Sequence, residues 1–272
     1  MRKAFLAAAF VAMALVSVRA DVTLVQTMTM EGAAAGMMGP GQLPKTTMRI
    51  KGMKARSDVE VMGQTVTTIT DLAQKQVVVL DAAAKTAQII TPGSVAAGGS
   101  GVALPDMDIS FKPTGKSQTI EGQACEEHTF LLSLDMEQFG GGGQMPPEAA
   151  AMMKGVKMVM NGSMWVAKNG PGAAEFTAFN KAAIQSNLLS AISGMPAGQP
   201  GGMDKVMAAV AAAPGIPYLM EVTMTFEGSG PIVQAMQQMG AMKMVQKTTS
   251  VSTDAIADDV FAIPEGYTVE KK

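Results

Sequence analysis

Two short breaks, ten residues apart, constrain the fold of this chain more than any other feature. Asp71-Leu72-Ala73-Gln74-Lys75 and Asp81-Ala82-Ala83-Ala84-Lys85 each open on an Asp and close on a Lys. An Asp that hydrogen-bonds its own backbone, followed by a short polar link, is turn chemistry. Each break leads into an apolar, β-branched run of strand length: Gln76 to Leu80, then Thr86 to Ile90. Strand plus turn is the period of an antiparallel meander. Upstream, Thr46 to Lys51 and Val66 to Thr70 alternate polar and apolar residues. Residues 45 to 91 therefore read as a sheet, and a sheet of that length needs a cover for its apolar face.

The rest of the chain supplies candidates for that cover. Val22 to Met30 reads as a strand with Leu24, Gln26, Met28 and Met30 on one face. Asp108 to Ile120 and Ala124 to Asp135 read as a hairpin joined by Glu121-Gly122-Gln123, and Val156 to Lys168 as a further strand. The period then changes. Phe176, Phe179, Ala183, Ile184, Leu188 and Ile192 fall at three-and-four spacing, which predicts a helix over 173–192. A second short helix is expected over 204–213 and helical insertions over 147–154 and 232–239. Tyr218 to Phe226 and Met242 to Ser252 return to strand. Gly-, Ala-, Met- and Pro-rich stretches separate these elements, where added loop length costs little. The pattern is α+β, mainly antiparallel β, in a single domain.

The first twenty residues read as a leader. Arg2 and Lys3 precede an apolar run from Ala4 to Val18, and Val18-Arg19-Ala20 places small residues before a cleavage site ahead of Asp21. The run is shorter than the ~20 residues a membrane span requires. The expected mature chain, 21–272, is exported to the periplasm or cell envelope, or secreted, with no integral span. Its net charge of -2 becomes more acidic once Arg2, Lys3 and Arg19 are lost, and aromatics are only 4% of residues. Both facts argue against a nucleic-acid partner. Cys125 is the only cysteine, so no internal disulfide forms.

Catalytic chemistry finds little support. Cys125 and His128 are three apart on an expected strand and so point to opposite faces, out of hydrogen-bond reach. No nucleophile elbow, zinc-protease helix or phosphate loop occurs. Asp258 and Asp259 read as turn or solvated residues. No enzyme activity and no cofactor are expected. Methionine is the outlier of the composition, with 26 residues. Met28-x-Met30, Met37-Met38, Met152-Met153, Met158-x-Met160 and Met242-x-Met244 form close pairs. Thioethers are soft ligands that favour Cu(I), but a site needs about three of them converging, usually with a His. Methionine also replaces leucine in ordinary cores, and its pliability suits a surface that fits varied apolar ligands. Trp165, the sole tryptophan, reads as core or as the lining of a ligand pocket.

Taken in order, several stretches resemble a family. They are the leader and first strand, Met48 to Arg56, Ile69-Thr70-Asp71 through Val79-Leu80-Asp81, Ile120 to Cys125, Met164-Trp165-Val166, and Phe261-Ala262-Ile263-Pro264-Glu265-Gly266-Tyr267. The mature chain resembles a bacterial exported family of undefined function within the LolA/LolB-like superfamily of lipoprotein carriers. That resemblance implies an unclosed half-barrel wrapped around a helical lid or plug, with an apolar cavity between them. It also implies that Arg56 tethers the lid by bonding helix carbonyls. The Gly- and Met-rich inserts depart from a compact carrier.

The reading that follows is an exported protein that binds an apolar or amphiphilic ligand, a lipid or a lipidated protein. The expected lining is Met48, Ile50, Val77, Val79, Trp165, Phe176, Phe179 and Ile184, with Arg56 as tether. An acyl chain is the expected partner, and an envelope protein a second one. The alternatives are a methionine-rich Cu(I) chaperone of the envelope and a structural interaction module without ligand.

Overall fold

The fold is given by a computed structural model that describes residues 20–31, 43–91, 108–136, 154–186, 188, 213–238 and 240–271. Twelve strands form one unclosed sheet among these residues. β1 is Val22–Glu31, β2 Lys45–Lys51, β3 Lys54–Val61, β4 Gln64–Asp71, β5 Gln76–Asp81 and β6 Thr86–Ile90. β7 is Asp108–Ile120, β8 Gln123–Asp135, β9 Lys157–Ala167, β10 Ile216–Glu227, β11 Met242–Ser252 and β12 Thr268–Lys271. Their order across the sheet is β12-β6-β5-β4-β3-β2-β1-β11-β10-β9-β8-β7. Helix α1 is Ala173–Gln185 and helix α2 is Pro231–Gln238.

β1 is the hinge of this order. It pairs with β2 on one edge and with β11 on the other, joining the meander of residues 45–90 to a second meander of β7 to β11. All neighbours are antiparallel except β12, which runs parallel to β6. That last strand was not expected, because four exposed residues at a chain end carry no periodic signal.

The two Asp breaks act as the sequence predicts. The Asp71 carboxylate accepts from Gln74 N, and Asp81 accepts from Ala83 N and Ala84 N. Both turns close through a Lys in the left-handed region, Lys75 at φ 51° and Lys85 at φ 52°. β3 fills the interval between the two alternating runs that the sequence marks as strands, so the meander has one strand more than those runs.

Both faces of the β2–β6 wing carry buried residues. On one, Val77, Leu72, Ile50 and Ala55 join Val22, Leu24 and the α1 residues Ala173, Phe179 and Ala183 in one apolar cluster. On the other, Ile69, Val78, Leu80 and Ala87 meet Ile256 and Phe261 of the C-terminal segment. This explains why Val77 to Leu80 is a continuous apolar run rather than an alternating one: each side chain has a partner on its own side. A fully buried side chain of this size contributes about 1.5–3 kcal/mol.

α1 starts where Gly172, at φ 71°, passes over β1. A Cβ there would lie 2.7 Å from a Val22 methyl, so the position needs glycine for both conformation and space. The Thr177 hydroxyl donates to Ala173 O and accepts from Gly215 N, joining the helix to the start of β10. The described helix ends at Gln185, where Ser186 N donates to Ala182 O. The expected leader up to residue 19, residues 187 and 189–192 of the expected helix, almost all of the expected helices over 204–213 and 147–154, and the Met37-Met38 and Met152-Met153 pairs lie outside the described residues. α2 was expected at 232–239 and occupies almost that span.

Candidate functional site

Seven of the eight lining residues expected from the sequence meet in one place. Ile50, Val77 and Phe179 are buried members of the cluster under α1, and Met48, Val79, Trp165 and Phe176 pack against it half-buried. Ile184 is half-buried on α1 and is not part of that cluster. α1 meets the sheet at β2 and β10. A recess of about 190 Å³ opens beside them, lined by Gly52, Ala174, Glu175 and Ala178, at the solvent edge of α1.

Arg56 lies on the other face. Its strand neighbour Ala55 packs in the α1 cluster, while its cross-strand partner Ile69 packs against Phe261. The guanidinium donates to both Asp58 oxygens, at 3.0 and 3.1 Å, and to the carbonyl of Val260 at 3.1 Å. The carbonyl it holds therefore belongs to a 3-10 turn at Asp258–Phe261, not to α1. Arg49 completes the cluster, 2.6 Å from Asp58, and the Thr67 hydroxyl donates to Asp58 at 2.7 Å. Burial alone would push the Asp58 carboxyl up, but the Thr67 hydrogen bond and the two arginines outweigh it and hold it below the ordinary value. Lys51 adds a second clasp, donating to Ile256 O at 2.6 Å and pairing with Asp258 at 2.8 Å. Asp21 accepts from Ile256 N at 2.6 Å.

The sheet register reveals a larger surface that residue spacing alone did not. Cross-strand partners share a face, so the pairings can be read as rows. One row runs His128, Met164, Met220, Gln246, Met28 across β8, β9, β10, β11 and β1. The next is Phe130, Gly162, Val222, Met244, Met30. The next is Leu132, Met160, Met224, Met242, and a last short one is Leu134, Met158, Phe226. Nine methionines, from β1, β9, β10 and β11, thus lie on one face, with His128, Phe130, Leu132 and Leu134 of β8 at its edge. Met164 is buried and the other eight are half-buried among the described residues. Many intervening positions, such as Thr129, Asn161, Ser163, Glu221, Thr223, Lys243 and Lys247, are polar, with Leu131, Val159 and Val245 as apolar exceptions, and Lys243 pairs with Glu221 at 2.9 Å. Methionine itself is confined to one side of these strands, and the other side is mixed.

Two details shape this face. Gly162 leaves room for Phe130, whose ring edge would lie 2.8 Å from a Cβ at that position. On β1, Val22 and Leu24 belong to the α1 core, whereas Met28 and Met30 begin the methionine rows. Between them runs a polar seam. Gln26 Nε2 donates to the Thr248 hydroxyl, Gln246 Nε2 donates to Gln26 Oε1, and Thr248 donates to Pro217 O.

Cys125 and His128 stay apart in role. Cys125 is fully buried in the α1 cluster, and burial pushes its thiol up, away from nucleophilic use. His128 is buried and stacks on Phe111 with ring centroids 5.2 Å apart. Its Nδ1 is buried and has no hydrogen-bond partner among the described residues. No group of three or more His, Cys, Asp or Glu with metal-holding geometry occurs among the described residues. No described helix is long and apolar enough to cross a membrane.

No family model matches the chain. No curated protein matches it either. Among solved structures, it is similar to an uncharacterized conserved protein from Thermus thermophilus, at 6% identity and a TM-score of 0.40, over 94% of this chain and 92% of that one.

Proposed function

We propose that this protein is an exported, non-enzymatic binder of an amphiphile bearing an acyl chain. The observation that carries the reading is the methionine face: nine thioether side chains, mostly half-buried, on one side of four strands, with Phe and Leu neighbours from β8. Methionine has three rotatable bonds and a polarizable sulfur, so such a face adapts to hydrocarbon of varied shape. Each methylene buried against it contributes about 0.8 kcal/mol. The unclosed sheet, with α1 over part of it, suits the half-barrel and lid of a carrier, and the leader suits the periplasm or cell envelope. In this reading the residues under α1 form the packed floor beside the ligand surface. A ligand enters among them only if α1 moves.

The test is native mass spectrometry of the mature chain, 21–272, purified from an envelope fraction without detergent. The reading expects an adduct of lipid mass that leaves on delipidation. A bare mass that stays bare after incubation with lipid contradicts it, and fits an interaction module without ligand.

A further inference from the structure

We infer that the inner end of the methionine face is a binding site for a soft monovalent cation, Cu(I), held by His128, Met164 and Met220. Three observations converge there. The only histidine of the chain is buried, and its Nδ1 has no hydrogen-bond partner among the described residues. An unsatisfied buried polar atom is costly, so it calls for a partner. Directly across the sheet from His128 is Met164, which is also buried, and directly across from Met164 is Met220.

Side chains opposite one another on antiparallel strands have Cβ atoms about 4.5–5.5 Å apart. Imidazole and thioether reach one another over that span, and the flexible methionines choose the rotamers that aim sulfur inward. One imidazole nitrogen and two thioethers make a neutral, soft donor set. Such a set selects Cu(I) over Ca²⁺ or Mg²⁺, which prefer oxygen, and it lacks the thiolates of a structural zinc site. Met164, Met220, Val166 and Ala213 with Phe111 form an apolar cluster around the position, which shields it from water. The Phe111 ring stacked on His128 fixes the imidazole plane. The site shares Met164 and Met220 with the methionine face but does not rest on the amphiphile reading: Cu(I) retention is measured without lipid, so failure of either reading is seen independently.

The experiment is an anaerobic titration of the full mature chain with Cu(I) against a competing chelator, bicinchoninate, followed by X-ray absorption of the loaded protein. One equivalent should be withheld from the chelator, with nitrogen and two sulfur scatterers at copper. Met164→Leu and Met220→Leu conserve volume and fold, and each should weaken Cu(I) binding by about 10-fold or more, at least the effect of losing a group that merely orients a ligand. His128→Gln should do the same. Met62→Leu, at an exposed turn outside the rows, should leave affinity unchanged. The assignment is overturned if no copper is withheld, if Met164→Leu and Met220→Leu bind like wild type, or if Cys125→Ala abolishes binding.

Discussion

The Arg56 guanidinium donates to the backbone carbonyl of Val260 at 3.1 Å, across 204 residues of chain. This bond fixes the C-terminal turn on the face of the sheet opposite α1. The same arginine, with Arg49, neutralises the half-enclosed Asp58. Replacing Arg56 by Leu leaves Asp58 short of a partner and frees the Val260 carbonyl. The expected loss is about 1–3 kcal/mol. Hydrogen exchange should rise over 256–271 and stay unchanged over 173–185. Faster exchange in α1 alone would show that Arg56 tethers the helix instead.

The same cluster sets a pH dependence. The Asp58 carboxyl is held low in the folded chain, so its contribution to stability is complete above the unfolded value of about 3.9. The contribution is lost as pH falls through the lower folded value. Asp258 is shifted in the same direction by its hydrogen bond to Lys51. Acid should therefore release the C-terminal segment. Denaturant midpoints between about pH 6 and pH 2.5, followed in the wild type and in Asp58→Asn, check this. The variant should lose part of the acid-dependent slope.

Much of the fold is legible in the sequence because its cause is local. The Asp71 and Asp81 turns, the alternation on β1 and β2, and the three-and-four spacing of α1 all act within a few residues. The parallel β12, the acceptor of Arg56 and the methionine rows depend on register instead. Met28 meets Gln246, and Met164 meets Met220, only once strands far apart in sequence are paired. The isolated pairs Met158-x-Met160 and Met242-x-Met244 were visible, but their convergence on Met224 was not. The tethering role expected of Arg56 rests on the resemblance alone, and the segment it holds is set by packing of residues 256–261 on the sheet.

Phe179 tests the packing of α1. It is buried against β-sheet residues of the largest apolar cluster. Phe179→Ala should cost about 3–5 kcal/mol in urea unfolding. A loss below about 1 kcal/mol would show that α1 is weakly seated and already detaches.

Gly162 tests the methionine face itself. A Cβ at this position would lie 1.9 Å from the Glu221 carbonyl oxygen, a backbone atom that cannot swing away. Gly162→Ala should destabilise the chain by about 3 kcal/mol or more, at the upper end of overpacking costs. Thermal unfolding measures it. Wild-type stability would mean that β9 and β10 do not meet in this register.

The central claim is that the methionine face takes an acyl chain. The most direct measurement is a titration of the mature chain, labelled with ¹³C at its methionine methyls, with laurate below its micelle concentration. The account predicts saturable shifts for Met28, Met30, Met160, Met220, Met224, Met242 and Met244, with the exposed Met62 unmoved. Absence of any saturable shift, or shifts confined to Met48 beneath α1, would contradict it.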